Sequence, residues 1–335
     1  MTICHALRRL LPAFCALSLA CSASASAVGL PRIGLLVYNA EDAFMQTVCA
    51  RIQEVSLGLA DVVLMDGENS QIMQNDQVDR LLREGVDALI INPVDRTTAV
   101  YMTRAAMRYQ VPVVFINREP LYEDLALYEK SYYVGNDPRE SGTMSGEIIA
   151  AYFKAHPEAD RNGDGVIQYV MLKGEPGHQD AELRTIYSVK AIEEAGFAVQ
   201  ILVEEPAMWV RTLAQEKMSH IIASYGDRIE CVLSNNDEMA LGAIEALKAA
   251  GYFTAGKFMP VVGVDATAPA LGALKEGTLL GTVLNDAVNQ GEAIMLLAVA
   301  AVTGDFTGFS YEIVDGHYVW VPYQMVTEEN YTQFE

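Results

Sequence analysis

Short apolar runs alternate with longer amphipathic stretches from Arg32 to the C-terminal third of the chain. The runs are RIGLLVY (32–38), DVVLMDG (61–67), ALIIN (88–92), VPVVFIN (111–117), YYVGND (132–137), VIQYVMLKG (166–174), VQILVEEP (199–206), IECVLSNN (229–236), VVGVD (261–265) and TLLGTVLN (278–285). Each is short, rich in Val, Ile and Leu, and lacks polar alternation, as a strand buried on both faces does. Helix-period stretches lie between them: one near 43–58, then QIMQNDQVDRLLREG, TTAVYMTRAAMRYQ, ESGTMSGEIIAAYFKAH, DAELRTIYSVKAIEEAG, RTLAQEKMSHIIASYG, DEMALGAIEALKAAG and DAVNQGEAIMLLAVAAVTG. Gly85, Gly196, Gly226 and Gly251 stand where left-handed helix caps are needed. Alternating strand and helix predict parallel sheets covered on both faces. About ten strands are too many for one small doubly wound sheet. The expected fold is therefore α/β, with two doubly wound parallel-sheet lobes, a cleft between them and a three-segment hinge. No linker composition marks a boundary, so the crossings are expected near Val111-Pro112, near Asn285 and near Val321-Pro322. This gives an N-terminal lobe of 28–111 plus 285–320 and a C-terminal lobe of 112–284 plus 321–335.

Most of these runs end on, or just before, a short polar residue. Asp42 and Phe44 follow the first; Asn92, Asn117, Asn236, Asp265 and Asn285 close others; His178, Asp180 and Arg184 follow VIQYVMLKG. Ligands of parallel α/β sheets bind beyond the carboxyl ends of the strands. Amides, carboxylates and one guanidinium gathered there would hydrogen-bond a small polar ligand, and no nucleophile stands among them.

The first 27 residues read differently. A basic leader (MTICHALRR), an apolar segment too short to span a bilayer and the small-residue site Ala25-Ser26-Ala27 form the pattern of a secretory signal peptide. The mature chain is expected to be exported and soluble. Of five cysteines, Cys4, Cys15 and Cys21 leave with that segment. Cys49 and Cys231 fall in different lobes and are expected to be free buried thiols. A formal charge of −21 opposes nucleic-acid binding, which needs clustered Lys and Arg.

Asp160-Arg161-Asn162-Gly163-Asp164-Gly165-Val166-Ile167-Gln168 matches the first nine positions of an EF-hand calcium loop. Asp160, Asn162, Asp164 and Gln168 offer side-chain oxygens, and Val166 offers its carbonyl. Met171 stands where the loop's closing Glu belongs, so a remote carboxylate is needed. Glu230, opening a strand expected beside 167–173, is the candidate. A bound Ca2+ would be structural; the alternative is a Gly-rich Asx turn.

Asp180 and Arg184, four apart on a helix, form either a surface ion pair or a donor and acceptor pair for adjacent sugar hydroxyls. Trp209, in a strand-to-helix loop, and Phe44 are either core residues or the two faces of an aromatic sandwich around a sugar ring. Gly251–Lys257 imitates a P-loop, but Phe258 stands where a Ser or Thr must bind magnesium. No G-x-S-x-G elbow and no zinc-spaced His and Cys set is present, so no enzyme is expected.

QNDQVDRLL (74–82), VPVVFINREP (111–120), YYVGNDPRESG (132–142), LKGEPGHQDAELRT (172–185), SNNDEMALGAIEALKA (234–249), VVGVDA (261–266) and GTVLNDAVNQ (281–290) resemble the periplasmic galactose/glucose-binding proteins of sugar ABC transporters. The likeness runs from about Arg32 to the C-terminus. It implies sugar contacts at Asp42, Phe44, Asn92, His178, Asp180, Arg184, Trp209, Asn236, Asp265 and Asn285. It also implies a structural Ca2+ at Asp160, Asn162, Asp164, Val166, Gln168 and Glu230. The implied ligand is D-glucose or D-galactose, with another monosaccharide such as a pentose as the alternative. The implied setting is a periplasmic monomer whose closure is read by an ABC permease, with a chemoreceptor as a second candidate reader. A sugar-responsive repressor would share the two-lobe core but would need a basic DNA-reading segment; a secreted hydrolase using Asp180 and His178 would need a nucleophile.

Overall fold

The computed structural model describes residues 29–254 and 256–334. The expected signal peptide, with Cys4, Cys15 and Cys21, lies outside them. The first sheet has the order β11-β5-β4-β3-β1-β2. Its strands are β1 (Arg32–Val37), β2 (Asp61–Asp66), β3 (Ala88–Ile91), β4 (Val113–Ile116), β5 (Ser131–Gly135) and β11 (Tyr318–Trp320). The second has the order β12-β10-β9-β8-β6-β7. It is built from β6 (Val166–Lys173), β7 (Ala198–Pro206), β8 (Cys231–Ser234), β9 (Val261–Val262), β10 (Gly281–Leu284) and β12 (Gln324–Thr327). Every pairing is parallel except β10 with β12.

Helices cover both faces. In lobe one, α1 (Ala43–Ser56) and α10 (Ala287–Thr303) seal one face with Val48, Ile52, Ile294 and Leu297. On the other face α2 (Gln71–Glu84), α3 (Ala99–Tyr109) and α4 (Tyr122–Leu125) contribute Val78, Leu81, Met102 and Leu125. In lobe two, α5 (Pro138–Ala155) and α6 (Gln179–Glu194) pack on one face through Ile149, Phe153 and Ile192. There α7 (Arg211–Tyr225), α8 (Asp237–Ala249) and α9 (Ala268–Lys275) take the other face. Central strands such as β3 and β4 are buried at every residue, as their unbroken apolar composition requires. The edge strands β2 and β7 are half-exposed.

The chain crosses between lobes three times, but the first crossing is not where the sequence places it. The expected boundary near Val111-Pro112 would put β4 and β5 in the second sheet. Both instead pair in the first, β4 with β3 and β5 with β4 and β11. The crossing falls after Gly135, where Asn136 Nδ2 donates to the Val321 carbonyl and ties the first crossing to the third. The chain changes sheet again at Asn285 and at Val321-Pro322: β10 belongs to lobe two and α10 to lobe one, β11 to lobe one and β12 to lobe two. Cys49 and Cys231 are free and buried. Among the described residues, no helix is long and apolar enough to cross a membrane.

Candidate ligand-binding cleft

The residues that end strands also begin helices, and this places them at the cleft. Asp42 caps α1: its Oδ1 accepts from the Met45 amide at 2.7 Å, and its Oδ2 accepts from the Tyr38 hydroxyl at 2.7 Å. His178 caps α6, its Nδ1 accepting from the Asp180 amide at 3.1 Å. Asn236 caps α8, its Oδ1 accepting from the Met239 amide at 3.0 Å. A helix N-terminus presents unpaired N–H groups that such short polar side chains satisfy. Here the same side chains face a common space.

That space is an interlobe cavity lined by Tyr38, Asp42, Phe44, Asn117, His178, Asp180, Arg184, Trp209, Asn236, Asp265 and Asn285. Of the ten residues inferred from sequence, nine line it. Asn92 does not. It is wholly buried, accepts from the Tyr38 amide and donates to the Ile116 carbonyl and to Asn117 Oδ1, so its amide ties the ends of β1, β3 and β4 together. Asn117, which ends the next strand, takes its place on the wall, turned there by a left-handed backbone at φ 58°. Tyr38 is the other wall residue the candidate set lacked. Arg118 covers its ring, guanidinium 3.9 Å from the centroid.

Arg184 organises the lobe-two side. Its Nη2 donates to Asp180 Oδ2 and to the Tyr323 hydroxyl, each at 3.0 Å, its Nη1 to the Asn235 carbonyl at 3.0 Å, and its Nε to Ser141 Oγ at 3.2 Å. The surface ion-pair alternative is excluded, because the side chains of Arg184 and Asp180 are only 5% and 14% exposed. Burial pushes the Asp180 carboxyl up, and Arg184 opposes it. Burial raises Asp265 more strongly, again against Arg184, while Asn285 Nδ2 donates to its Oδ1 at 3.1 Å. Burial, with Arg118, Arg184 and Arg96 nearby, pushes His178 well below its usual range. The ring is therefore neutral; with Nδ1 accepting, its proton sits on Nε2.

Trp209 owes its position to two backbone features. Met208 and Trp209 both have positive φ, 54° and 67°. Gly174 provides the bed for the indole, since a Cβ there would lie 2.2 Å from the ring. His178 meets Trp209 edge to face at 5.2 Å. The cavity thus has carboxyl groups, a donor-only guanidinium and mixed amides, framed by the rings of Phe44 and Trp209. Buried charges and amides need polar partners. Hydroxyls, each both donor and acceptor, supply them.

A second constellation sits at the start of β6. Asp160 accepts from the Gly163 and Gly165 amides, each at 2.8 Å. Asn162 Nδ2 donates to Asp164 Oδ2 and to Gln168 Oε1. Glu230, 1% exposed, closes the loop by accepting from the Arg161 amide at 2.7 Å and the Gln168 amide at 3.0 Å. Among the described residues no three His, Cys, Asp or Glu side chains are grouped as a metal centre of those residues alone would require. The oxygens here are of mixed type, two Asp, one Glu, an Asn, a Gln and a carbonyl. That is the donor chemistry calcium takes.

A model of the periplasmic binding protein domain matches residues 33–305. The chain is 42% identical to the D-galactose/methyl-galactoside binding periplasmic protein MglB of Haemophilus influenzae, across 93% of this chain and 94% of that protein. It is 32% identical to a putative rhizopine-binding protein of Rhizobium meliloti, across 82% of each. An ABC transporter solute binding protein of Bacillus halodurans, solved with bound myo-inositol, superimposes with a TM-score of 0.77 at 30% identity, covering 92% of this chain and 98% of that one. These proteins bind solutes and are not enzymes. The chain belongs to the periplasmic binding protein family, with the family's type I fold of two parallel-sheet lobes.

Proposed function

We propose that this chain binds D-galactose and D-glucose in the interlobe cavity and delivers the sugar to a membrane ABC permease. The observation that carries the reading is the cavity wall itself. Three carboxylates, Arg184, three Asn side chains and His178 converge on one small space flanked by Phe44 and Trp209. The likeness to a galactoside-binding relative supports the choice of hexose. Selectivity follows from burial: an epimer that leaves one of these groups without a partner forfeits the desolvation of that group. Lobe one carries Asp42, Phe44 and Asn117; lobe two carries His178, Asp180, Arg184, Trp209, Asn236 and Asp265. Sugar bound to one set is covered by the other as the three crossings flex. The composite surface of the closed form is what a permease reads, and a chemoreceptor could read the same surface.

Residues 1–27 act as the signal peptide that directs the chain to the periplasm. Asp160, Asn162, Asp164, the Val166 carbonyl, Gln168 and Glu230 would hold a structural Ca2+, which supplies charge neutralisation to a loop carrying three carboxylates.

Isothermal titration calorimetry of the mature protein with D-galactose, D-glucose, D-ribose and myo-inositol tests the ligand. The reading expects micromolar dissociation constants for the two hexoses, about −8 kcal/mol, and no binding of the other two. Tight ribose or inositol binding with silent hexoses would reassign the ligand within the same cavity.

A further inference from the structure

Asp237 follows a cavity residue, Asn236, yet its side chain does not reach the cavity. It is wholly buried at the start of α8. Its Oδ1 accepts from Thr282 Oγ1 at 2.6 Å, and its Oδ2 accepts from the Thr267 amide at 2.8 Å. Its own amide donates to the Val264 carbonyl at 2.8 Å. Thr282 Oγ1 in turn accepts from the Ala266 amide at 3.3 Å. Asp237 therefore grips the 264–267 segment at both ends directly and in the middle through Thr282.

That segment needs gripping. Asp265 has φ 123° and Ala266 φ 53°, and neither is glycine. L residues in such backbone conformations are strained and persist only where the surroundings hold them. The result of the strain is that the Asp265 carboxylate faces the cavity beside Asn285. Gly263 makes room for the device, since a Cβ there would lie 2.3 Å from Asp237 Oδ1. Burial pushes the Asp237 carboxyl up to about 7. A carboxylate so placed, off the cavity wall, answers to the two donors it accepts from.

We propose that Asp237, relayed by Thr282, is a positioning residue that holds Asp265 in its ligand-binding conformation. The proposal rests on the sugar-binding reading of the cavity. It implies that sugar affinity depends on two side chains that never touch sugar.

The test uses the full mature protein. Thr282→Val keeps the shape and removes the relay; Asp237→Asn keeps the shape and offers a donor where an acceptor is needed. Calorimetry with D-galactose, at a temperature where thermal melts show both variants folded, is expected to give affinities roughly tenfold weaker than wild type. In an Asp265→Asn background the same substitutions are expected to change affinity less than twofold. The crystal structure of Thr282→Val is expected to show Asp265 relaxed away from φ 123°. Wild-type affinity in both variants, or the same tenfold loss in both backgrounds, overturns the proposal. Where Asp265→Asn binds too weakly to titrate, the backbone of Asp265 in the crystal decides: an unchanged φ overturns it. A wild-type protein that binds no hexose overturns the ligand reading instead, and the crystal measurement still tests the positioning role.

Discussion

Arg118 of lobe one donates to Glu175 of lobe two at 2.8 Å, bridging the cleft from protein to protein. Gln179 Nε2 donates back across it to Glu119 at 2.7 Å. Arg118 also stacks on Tyr38, whose hydroxyl donates to Asp42. The bridge therefore begins at the cavity wall and ends on the opposite lobe. Arg118 is buried while Glu175 is 39% exposed, so solvent screens the pair and its contribution is about 1 kcal/mol or less. Glu175→Gln is expected to weaken hexose affinity about threefold, mainly through faster release. Stopped-flow kinetics read this directly; a slower on-rate with unchanged release contradicts it.

Asp180 and Trp209 are the side chains whose loss should hurt most. Asp180→Asn leaves the buried Arg184 guanidinium without its carboxylate, and breaking a buried pair costs about 3–5 kcal/mol. Hexose affinity is expected to fall at least about 100-fold on the same scale. Trp209→Ala should abolish detectable binding while the fold persists. Gly174→Ala should displace the indole and weaken binding too, because the new methyl would sit 2.2 Å from the ring. Calorimetry with circular dichroism checks all three; unchanged affinity in Asp180→Asn removes that residue from the site.

His178 makes the empty protein acid-sensitive. Its pKa in the folded chain lies well below the ordinary 6.5. Below that value the unfolded chain takes up a proton that the folded chain refuses. Stability from this residue is thus complete above pH 6.5 and is lost as pH falls toward the folded pKa, at about 1.4 kcal/mol per pH unit. Urea unfolding of wild type and His178→Gln, without sugar, isolates it from the carboxylates. The wild-type advantage should shrink steadily as pH falls from 7 to 5. A constant difference would refute a neutral His178.

If the 160–168 loop and Glu230 hold calcium, EGTA should lower the melting temperature and added calcium restore it. Free calcium about 100-fold above its dissociation constant stabilises by about 2.7 kcal/mol. Asp164→Ala or Glu230→Gln should abolish the response. A melting temperature indifferent to EGTA and calcium speaks against the site.

Much of this was legible in the chain, because a buried parallel strand has an apolar composition that little else imitates. What it could not distinguish were features decided by neighbours. Asn92 and Asn117 each directly follow a strand, and only the left-handed turn at Asn117 and the hydrogen bonds around Asn92 show which one faces ligand. Likewise β11 and β12, three and four residues long, carry too little pattern to announce themselves, yet they extend the two sheets on either side of the third crossing. Val111-Pro112 reads as a boundary because a proline precedes an apolar run, whereas here the proline merely leads into β4. The short helices α4 and α9 have too few turns to show a period. Tyr38 reads as the last apolar residue of a strand; its role follows from Asp42, four residues on, accepting a hydrogen bond from its hydroxyl.

The central claim is that a hexose binds against Trp209. The chain has two tryptophans. The other, Trp320, lies on the β11 edge of lobe one, stacked on Tyr318 at 5.2 Å. Trp320→Phe therefore leaves Trp209 as the sole indole. Fluorescence of that variant, calcium-loaded, should change saturably with micromolar D-galactose and D-glucose and stay flat with D-ribose. A folded variant whose emission ignores both hexoses contradicts the account.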